Sequence, residues 1–249
     1  MVILKTDREI KTMKKAGQIA ARALQLAGKS IKPGISTLEI DLIIQKYIES
    51  QGAKPSFLGY GDFPNSSCIS VNNVVIHGIP SKNAVLKNGD IVSVDVGAFF
   101  EGFHGDTAFT FACGAIAPEA RALLDTTYES LFEGIKMAVV GNRVGDISNA
   151  IQRYVEARSY SVVRDFVGHG VGAKLHEDPS VPNFGAPGRG VRLQAGMTIA
   201  IEPMINAGTY EVNILPDEWT TVTADGKLSA HFEHSVAITP DGPVILTLP

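Results

Sequence analysis

The chain has 249 residues, 45% of them hydrophobic and 19% charged, which at roughly 150 residues per domain allows one large domain or two small ones and excludes disorder and collagen-like repeats. Its 22 Lys and Arg against 26 Asp and Glu give a formal charge of −4 with no dense basic block, so a nucleic-acid grip resting on a basic face is not expected. No window approaches the ~18 apolar residues of a membrane span, the N-terminal pattern is charged throughout, unlike a secretory signal, and Cys68 and Cys113 lie far apart without CxxC pairing. A cytoplasmic location is the expectation.

In chain order, Thr6-x-x-Glu9 and Ser36-x-x-Glu39 read as capping boxes, each followed by apolar residues at helical spacing. Two helices are therefore predicted to open the chain, with Gly28 and Gly52 as their stops. From Cys68 to Cys113 the pattern changes to alternating β-branched and aromatic residues with Gly and Asn punctuation, which predicts strands joined by tight turns. Pro118 suits the first turn of a third helix running to about Ala138, a fourth helix spans Gly145 to Arg158, and strands return to the end.

This order repeats at a constant offset of 107 residues. IDLIIQKYIE (Ile40 to Glu49) aligns with ISNAIQRYVE (Ile147 to Glu156), seven of the ten positions being identical or conservative. The same offset maps Gly34 onto Gly141, Gly89 onto Gly196, Val92 onto Ile199, Val94 onto Ile201 and Asp95 onto Glu202. Amphipathic helices share composition by chance, but coincident glycines and acids point to an internal duplication. One domain, residues 1–249, with halves of about 1–114 and 115–249 is expected, and ligand sites form where such halves meet.

Four acids stand in sequence that otherwise reads as buried. In the segment Asp90 to Phe109, with a turn at Glu101-Gly102, Asp95 faces Ala108 and Gly97 faces Asp106, so both aspartates project from one face. Glu202 ends the apolar strand MTIAIEP and Glu233 lies within SAHFEHSVAI, and none of the four segments carries Lys or Arg. A solvated strand-end acid or a hydrogen-bonded core carboxylate accounts for any one of these; four together raise one another's pKa and call for cations. His169, between glycines in GHGVG, adds an imidazole on a turn. An oxygen-rich set with one nitrogen suits two divalent ions, Mn, Fe or Co more naturally than a thiolate-rich zinc site.

These residues, within HGIP (His77 to Pro80), GHGVG, HEDP (His176 to Pro179), IEPM (Ile201 to Met204) and FEHS (Phe232 to Ser235), resemble the type I methionine aminopeptidases, and the likeness covers essentially the whole chain. The resemblance implies an α+β pita-bread fold, with two pseudo-twofold-related halves, antiparallel strands around a central dimetal site and helices outside. It implies that Asp95 binds one metal, that His169 and Glu202 serve mainly the other, and that Asp106 and Glu233 bridge both, the ions being drawn from Co, Mn, Fe, Zn or Ni. The spacings from His169 to Glu202 and on to Glu233 leave no room for the helical insertion of type II enzymes, and no zinc-binding extension precedes the first helix.

The resemblance further implies hydrolysis after an N-terminal methionine by a metal-activated water, with Glu202 assisting proton movement. By the same likeness His176 contacts the scissile carbonyl and developing oxyanion, and His77 the amide nitrogen. It places a methionine pocket near Tyr60, Phe63, Cys68, Leu175 and Trp219, where aromatics and sulfur suit a thioether, with Phe63 and Leu175 departing from the family's Tyr and Phe. A monovalent-cation site near Asn72, Val74 and Ser229 is implied as well. Substrates would be nascent polypeptide N-termini with a small second residue, the ribosome a partner, and the enzyme a monomer that binds no nucleic acid directly and no membrane. Since the chain begins Met1-Val2, it would process its own N-terminus. The alternatives are a proline-specific pita-bread peptidase, which usually carries an extra N-terminal domain, and a metal-free pita-bread binding protein, which would have lost ligands.

Overall fold

The computed structural model describes residues 1–249. The first half runs α1 (Asp7–Ser30), α2 (Thr37–Ser50), β1 (Lys54–Pro55), a short 3-10 turn at Tyr60–Asp62, β2 (Ser67–Val71), β3 (Val74–Ile76), β4 (Ile91–Phe100) and β5 (Phe103–Ala112). The second half runs α3 (Pro118–Lys136), α4 (Val144–Glu156), β6 (Ser161–Val162), β7 (Gly168–Gly170), β8 (Glu177–Val181), β9 (Thr198–Ile201) and β10 (Met204–Asn206). It ends with β11 (Val212–Ile214), β12 (Thr221–Thr223), β13 (Ser229–His231), β14 (Glu233–Thr239) and β15 (Gly242–Ile245). No helix is long and apolar enough to cross a membrane.

Both capping boxes form: Thr6 and Ser36 accept from the Glu9 and Glu39 amides, while those glutamates reach back to the cap amides. Gly52, at φ +70, follows α2 as a left-handed stop. Gly28 does not stop α1, which continues to Ser30. A Cβ at Gly28 would lie 2.3 Å from the Phe111 ring, so this glycine answers to packing against β5 rather than to chain reversal.

A nine-stranded sheet in the order β1-β4-β5-β14-β9-β7-β8 carries β2 on β4 and β15 on β14. All its pairings are antiparallel. The β4–β5 hairpin turns at Glu101 and Gly102, whose φ of 47° and 89° give the doubly left-handed geometry that matches strand twist. Its register pairs Asp95 with Ala108 and Gly97 with Asp106, as the alternation predicts.

The helices cover the strands from outside, α1 over β4 and β5, α2 beside it over β1 and β2, α3 against β9, β10 and β13, and α4 against β6 and β8. Ile40, Ile44 and Ile48 in one core, and Ile147, Ile151 and Val155 in the other, are fully buried at equivalent helical positions. Backbone detail follows the same offset. The Gly34 amide donates to the Leu86 carbonyl (2.8 Å) and the Gly141 amide to the Leu193 carbonyl (3.1 Å), while the bridges Ser36–Val85 and Arg143–Arg192 correspond. The glycines adopt φ of +94° and +96° at Gly34 and Gly141, and +98° and +90° at Gly89 and Gly196.

Candidate metal centre and substrate pocket

Five adjacent strands of the large sheet, β4, β5, β14, β9 and β7, each present one residue of the predicted ligand set: Asp95, Asp106, Glu233, Glu202 just beyond β9, and His169. Register aligns three of these strands, because Ala108 pairs with Asp95 on one side and with Glu233 on the other. Hydrogen bonds between β5 and β14 hold the alignment, the Ser235 hydroxyl donating to the Asp106 carbonyl (2.8 Å) and Thr107 to the Glu233 carbonyl (2.8 Å). Glycines flank His169 because β7 is wedged between neighbours. A Cβ at Gly168 would sit 2.4 Å from the Ala200 carbonyl oxygen, and one at Gly170 2.2 Å from that of Asp178.

His169 Nδ1 lies 2.8 Å from the Gly170 carbonyl, which fixes the ring and turns Nε2 toward the acids, 3.5 Å from Glu202 Oε1 and 3.9 Å from Asp106 Oδ2. Ligand atoms of Asp106, His169 and Glu233 lie within 4.8 Å of one another. The carboxylates carry little compensation from the protein. Burial drives Asp95 and Glu233 well above the ordinary carboxylate range, with further rises from the neighbouring acids, and drives Asp106 up to about 7 against a downward pull from His169. Burial would raise Glu202 too, but hydrogen bonding to His231 and the charges of His169 and His231 outweigh it, leaving the group low.

One oxygen each of Asp95, Asp106 and Glu233 is buried without any hydrogen-bond partner. Orphaned carboxylate oxygens at one point, beside an imidazole nitrogen and with no Lys or Arg in an ion pair to any of them, form a donor set that fits divalent cations. His231 belongs to this neighbourhood and was not picked out from the sequence. Its ring is 2% exposed and Nε2 lies 3.7 Å from Glu202 Oε2. The signal existed, since His231 and Glu233 are two apart and alternation puts them on one face.

The acids floor a pocket that also contains His77, His176, Tyr60, Phe63, Cys68, Leu175 and Trp219, so every predicted catalytic and pocket residue lines one cavity. Phe57 completes the lining and was missed; as a lone aromatic in a turn-rich stretch it gave no signal of its own. Phe57, Phe63, Cys68 and Leu175 form a small buried apolar cluster with Trp219 against it, the Phe63 and Trp219 rings meeting edge to face at 5.1 Å. Cys68 pairs in register with Asp95, which places the apolar cluster beside the acids. Burial holds the Cys68 thiol well above its usual pKa, aided by Asp95, so it is a packing group rather than a nucleophile.

Tyr60 stands at the mouth, its hydroxyl 2.7 Å from His176 Nδ1, and the His176 ring centroid is 4.1 Å from that of His169. His77 takes a left-handed φ of 57° and packs between Phe166 and Trp219, a costly conformation for a non-glycine residue of the kind found at functional sites. Burial lowers both His77 and His176 to about 4, so each is a neutral imidazole at pH 7, able to donate from one nitrogen and accept at the other. Away from this pocket, the Ser229 amide donates to the Asn72 carbonyl at 2.9 Å, and Val74 opens β3 two residues on, paired with Val222.

Comparisons with known proteins agree with this geometry. The model of metallopeptidase family M24 matches residues 11–240. A methionine aminopeptidase of Clostridium perfringens is 58% identical over 248 residues, covering 100% of this chain and 99% of the relative. Methionine aminopeptidase 1 of Bacillus subtilis is 53% identical, with 99% of each chain covered. The crystal structure of methionine aminopeptidase from Thermotoga maritima superposes with a TM-score of 0.99 at 46% identity, covering 100% of both chains. The prolidase of Pyrococcus horikoshii shares the fold, with a TM-score of 0.80 at 23% identity, this chain covering 64% of its length. With the family match running nearly end to end and relatives more than half identical along their whole length, the chain belongs to metallopeptidase family M24.

Proposed function

We propose that this protein removes the N-terminal methionine from polypeptides by hydrolysis, at a centre where Asp95, Asp106, His169, Glu202 and Glu233 hold two divalent metal ions. The observation that carries the reading is the convergence of four carboxylates and one imidazole, one from each of five neighbouring strands, beside an apolar cluster of thioether-compatible side chains. Such ions supply Lewis acidity, making water a nucleophile at neutral pH and offsetting charge on the scissile carbonyl. Asp106 and Glu233, on the central strands of the sheet, would serve both ions, Asp95 one of them, and His169 and Glu202 mainly the other.

The chain's own groups do the rest. Phe57, Phe63, Cys68, Leu175 and Trp219 enclose the methionine side chain and exclude water around it. Neutral His176, held by Tyr60 through Nδ1, offers Nε2–H to the carbonyl oxygen, a contact that strengthens as that oxygen gains charge. His77, against Trp219, meets the amide nitrogen and stabilises the leaving group. Glu202, whose low pKa keeps it ionised, accepts the proton released from water and passes it to the departing amine.

We take the repeat at 107 residues to reflect one catalytic domain built by duplication. The enzyme is read as a cytoplasmic monomer acting on chains as they leave the ribosome, and Asn72, Val74 and Ser229 as holding a monovalent cation. The test of the reaction is release of methionine from Met-Ala-Ser against cleavage of an Xaa-Pro peptide, with chelator and then Mn, Fe or Co added. Methionine release lost on chelation and restored by metal is expected; Xaa-Pro cleavage alone, or full activity in chelator, would sink the proposal.

A further inference from the structure

Lys5 and Glu177 form an ion pair at 2.5 Å with side chains only 3% and 4% exposed, whereas the other lysine–carboxylate pairs, Lys15–Glu101 and Lys136–Glu133, lie at the surface. A buried pair of this kind contributes little net stability compared with apolar packing, so its location is informative. It stands directly behind the loop that joins β7 to β8. Leu175 and His176 on that loop face the pocket, while Glu177, the next residue, turns the other way to Lys5.

The loop is clamped from several sides. Glu177 Oε1 accepts the Lys174 amide at 3.1 Å, and Oε2 takes the Lys5 ammonium, which also donates to the Ile3 carbonyl at 3.1 Å. The Lys5 amide donates to the Gly196 carbonyl at 2.7 Å, and the Gly196 amide donates to Ile238 of β14, the strand that begins with Glu233. On the opposite side the His104 amide of β5 donates to the Gly172 carbonyl at 2.8 Å. At Gly172 there is no spare room: a Cβ there would fall 2.5 Å from Glu177 Oε1 and 2.6 Å from Lys5 Cε. Lys5 thus holds the loop through its ammonium while its backbone amide, through Gly196, anchors it to β14.

We infer that Lys5 is a positioning residue for the reaction: by neutralising and holding Glu177 it fixes the loop that presents His176. This rests on the assignment of His176 to the scissile carbonyl. Without the ammonium, Glu177 is left as a buried charge with no partner, a costly arrangement, and the rearrangement that relieves it releases the back of the loop. A displacement of about 1 Å at a hydrogen-bonding group costs on the order of 10²-fold in rate.

The test is steady-state hydrolysis of Met-Ala-Ser by metal-loaded wild type, Lys5→Met, His176→Ala and the double variant, each shown folded by circular dichroism. Lys5→Met is expected to lower kcat about 10- to 100-fold with KM within about threefold. In the double variant the two losses should not multiply, kcat staying within about threefold of His176→Ala alone. Should Lys5→Met not fold, Glu177→Gln, which keeps the side-chain volume, gives the same comparison. Wild-type kcat in His176→Ala would overturn the assignment of His176 itself. Normal kcat in folded Lys5→Met, a loss confined to KM, or losses that multiply would overturn the inference about Lys5 while leaving that assignment intact.

Discussion

Replacing Asp106 by Asn should stabilise the metal-free protein while removing its activity. Burial holds the Asp106 carboxyl at about 7 in the folded chain, against an ordinary value of 3.8. A raised acid binds more protons folded than unfolded between those values, so its ionisation weakens the fold as pH rises. The shift spans about 3 units, and at about 1.4 kcal/mol per unit the cost above pH 7 reaches about 4 kcal/mol. Asn carries no charge but leaves a buried amide short of partners, which takes back on the order of 1 kcal/mol. A net gain of about 3 kcal/mol corresponds to about 6–12 °C in a chain of this size. Thermal unfolding in chelator at pH 8 reads this directly, with Asp106→Asn melting above wild type. At pH 5 the folded carboxyl is protonated but the unfolded one is still ionised, so less than half of the cost remains; the gap should narrow to under about 1 kcal/mol there and be gone by about pH 4. Adding Mn should raise the wild-type melting temperature and leave the variant unmoved. An Asp106→Asn protein that melts at or below wild type in chelator at pH 8 would refute the picture of strained carboxylates held apart for cations.

Glu233→Gln should likewise remain folded and lose turnover, and normal turnover in both Glu233→Gln and Asp106→Asn would overturn the two-metal assignment. Gly105→Ala should destabilise by about 3 kcal/mol, because its Cβ would lie 2.3 Å from the Gly17 amide nitrogen where α1 presses on β5; urea unfolding with no loss would show that the helix yields instead. His234 is lowered to about 4 by burial and its Nδ1 lies 2.9 Å from the Thr247 hydroxyl. Its neutral form supports the fold fully above pH 6.5, and that support falls away between pH 6.5 and 4. His234→Asn should therefore flatten the acid side of the stability curve by about 3 kcal/mol, measured by urea unfolding of chelated protein at pH 7 and pH 4; an unchanged slope counts against it. Active protein recovered from the producing cell should begin at Val2, and intact-mass analysis finding Met1 fully retained would contradict the small-second-residue preference.

Much of this site was legible because its signals are local. Capping boxes at Thr6 and Ser36 marked the helices, alternation put Asp95 and Asp106 on one face, and the doubled pattern of Gly34 with Gly141 and Asp95 with Glu202 tied the two halves together. What stayed hidden depends on long-range packing. Gly28 looks like a helix stop, and only the Phe111 ring across the interface explains why α1 runs past it. His231 carried a local signal in its spacing of two from Glu233, but its approach to Glu202 is made across strands, and Phe57 enters the pocket from an irregular stretch whose path no periodicity specifies. The Lys5–Glu177 pair joins residues 172 positions apart, and neither residue has a neighbour in sequence that marks it as buried.

The most direct measurement is anomalous diffraction from crystals of the protein loaded with Mn. Two peaks are predicted, both enclosed by Asp95, Asp106, His169, Glu202 and Glu233, with Asp106 and Glu233 touching each. Peaks elsewhere, or none among these five residues in a preparation that releases methionine, would contradict the central claim.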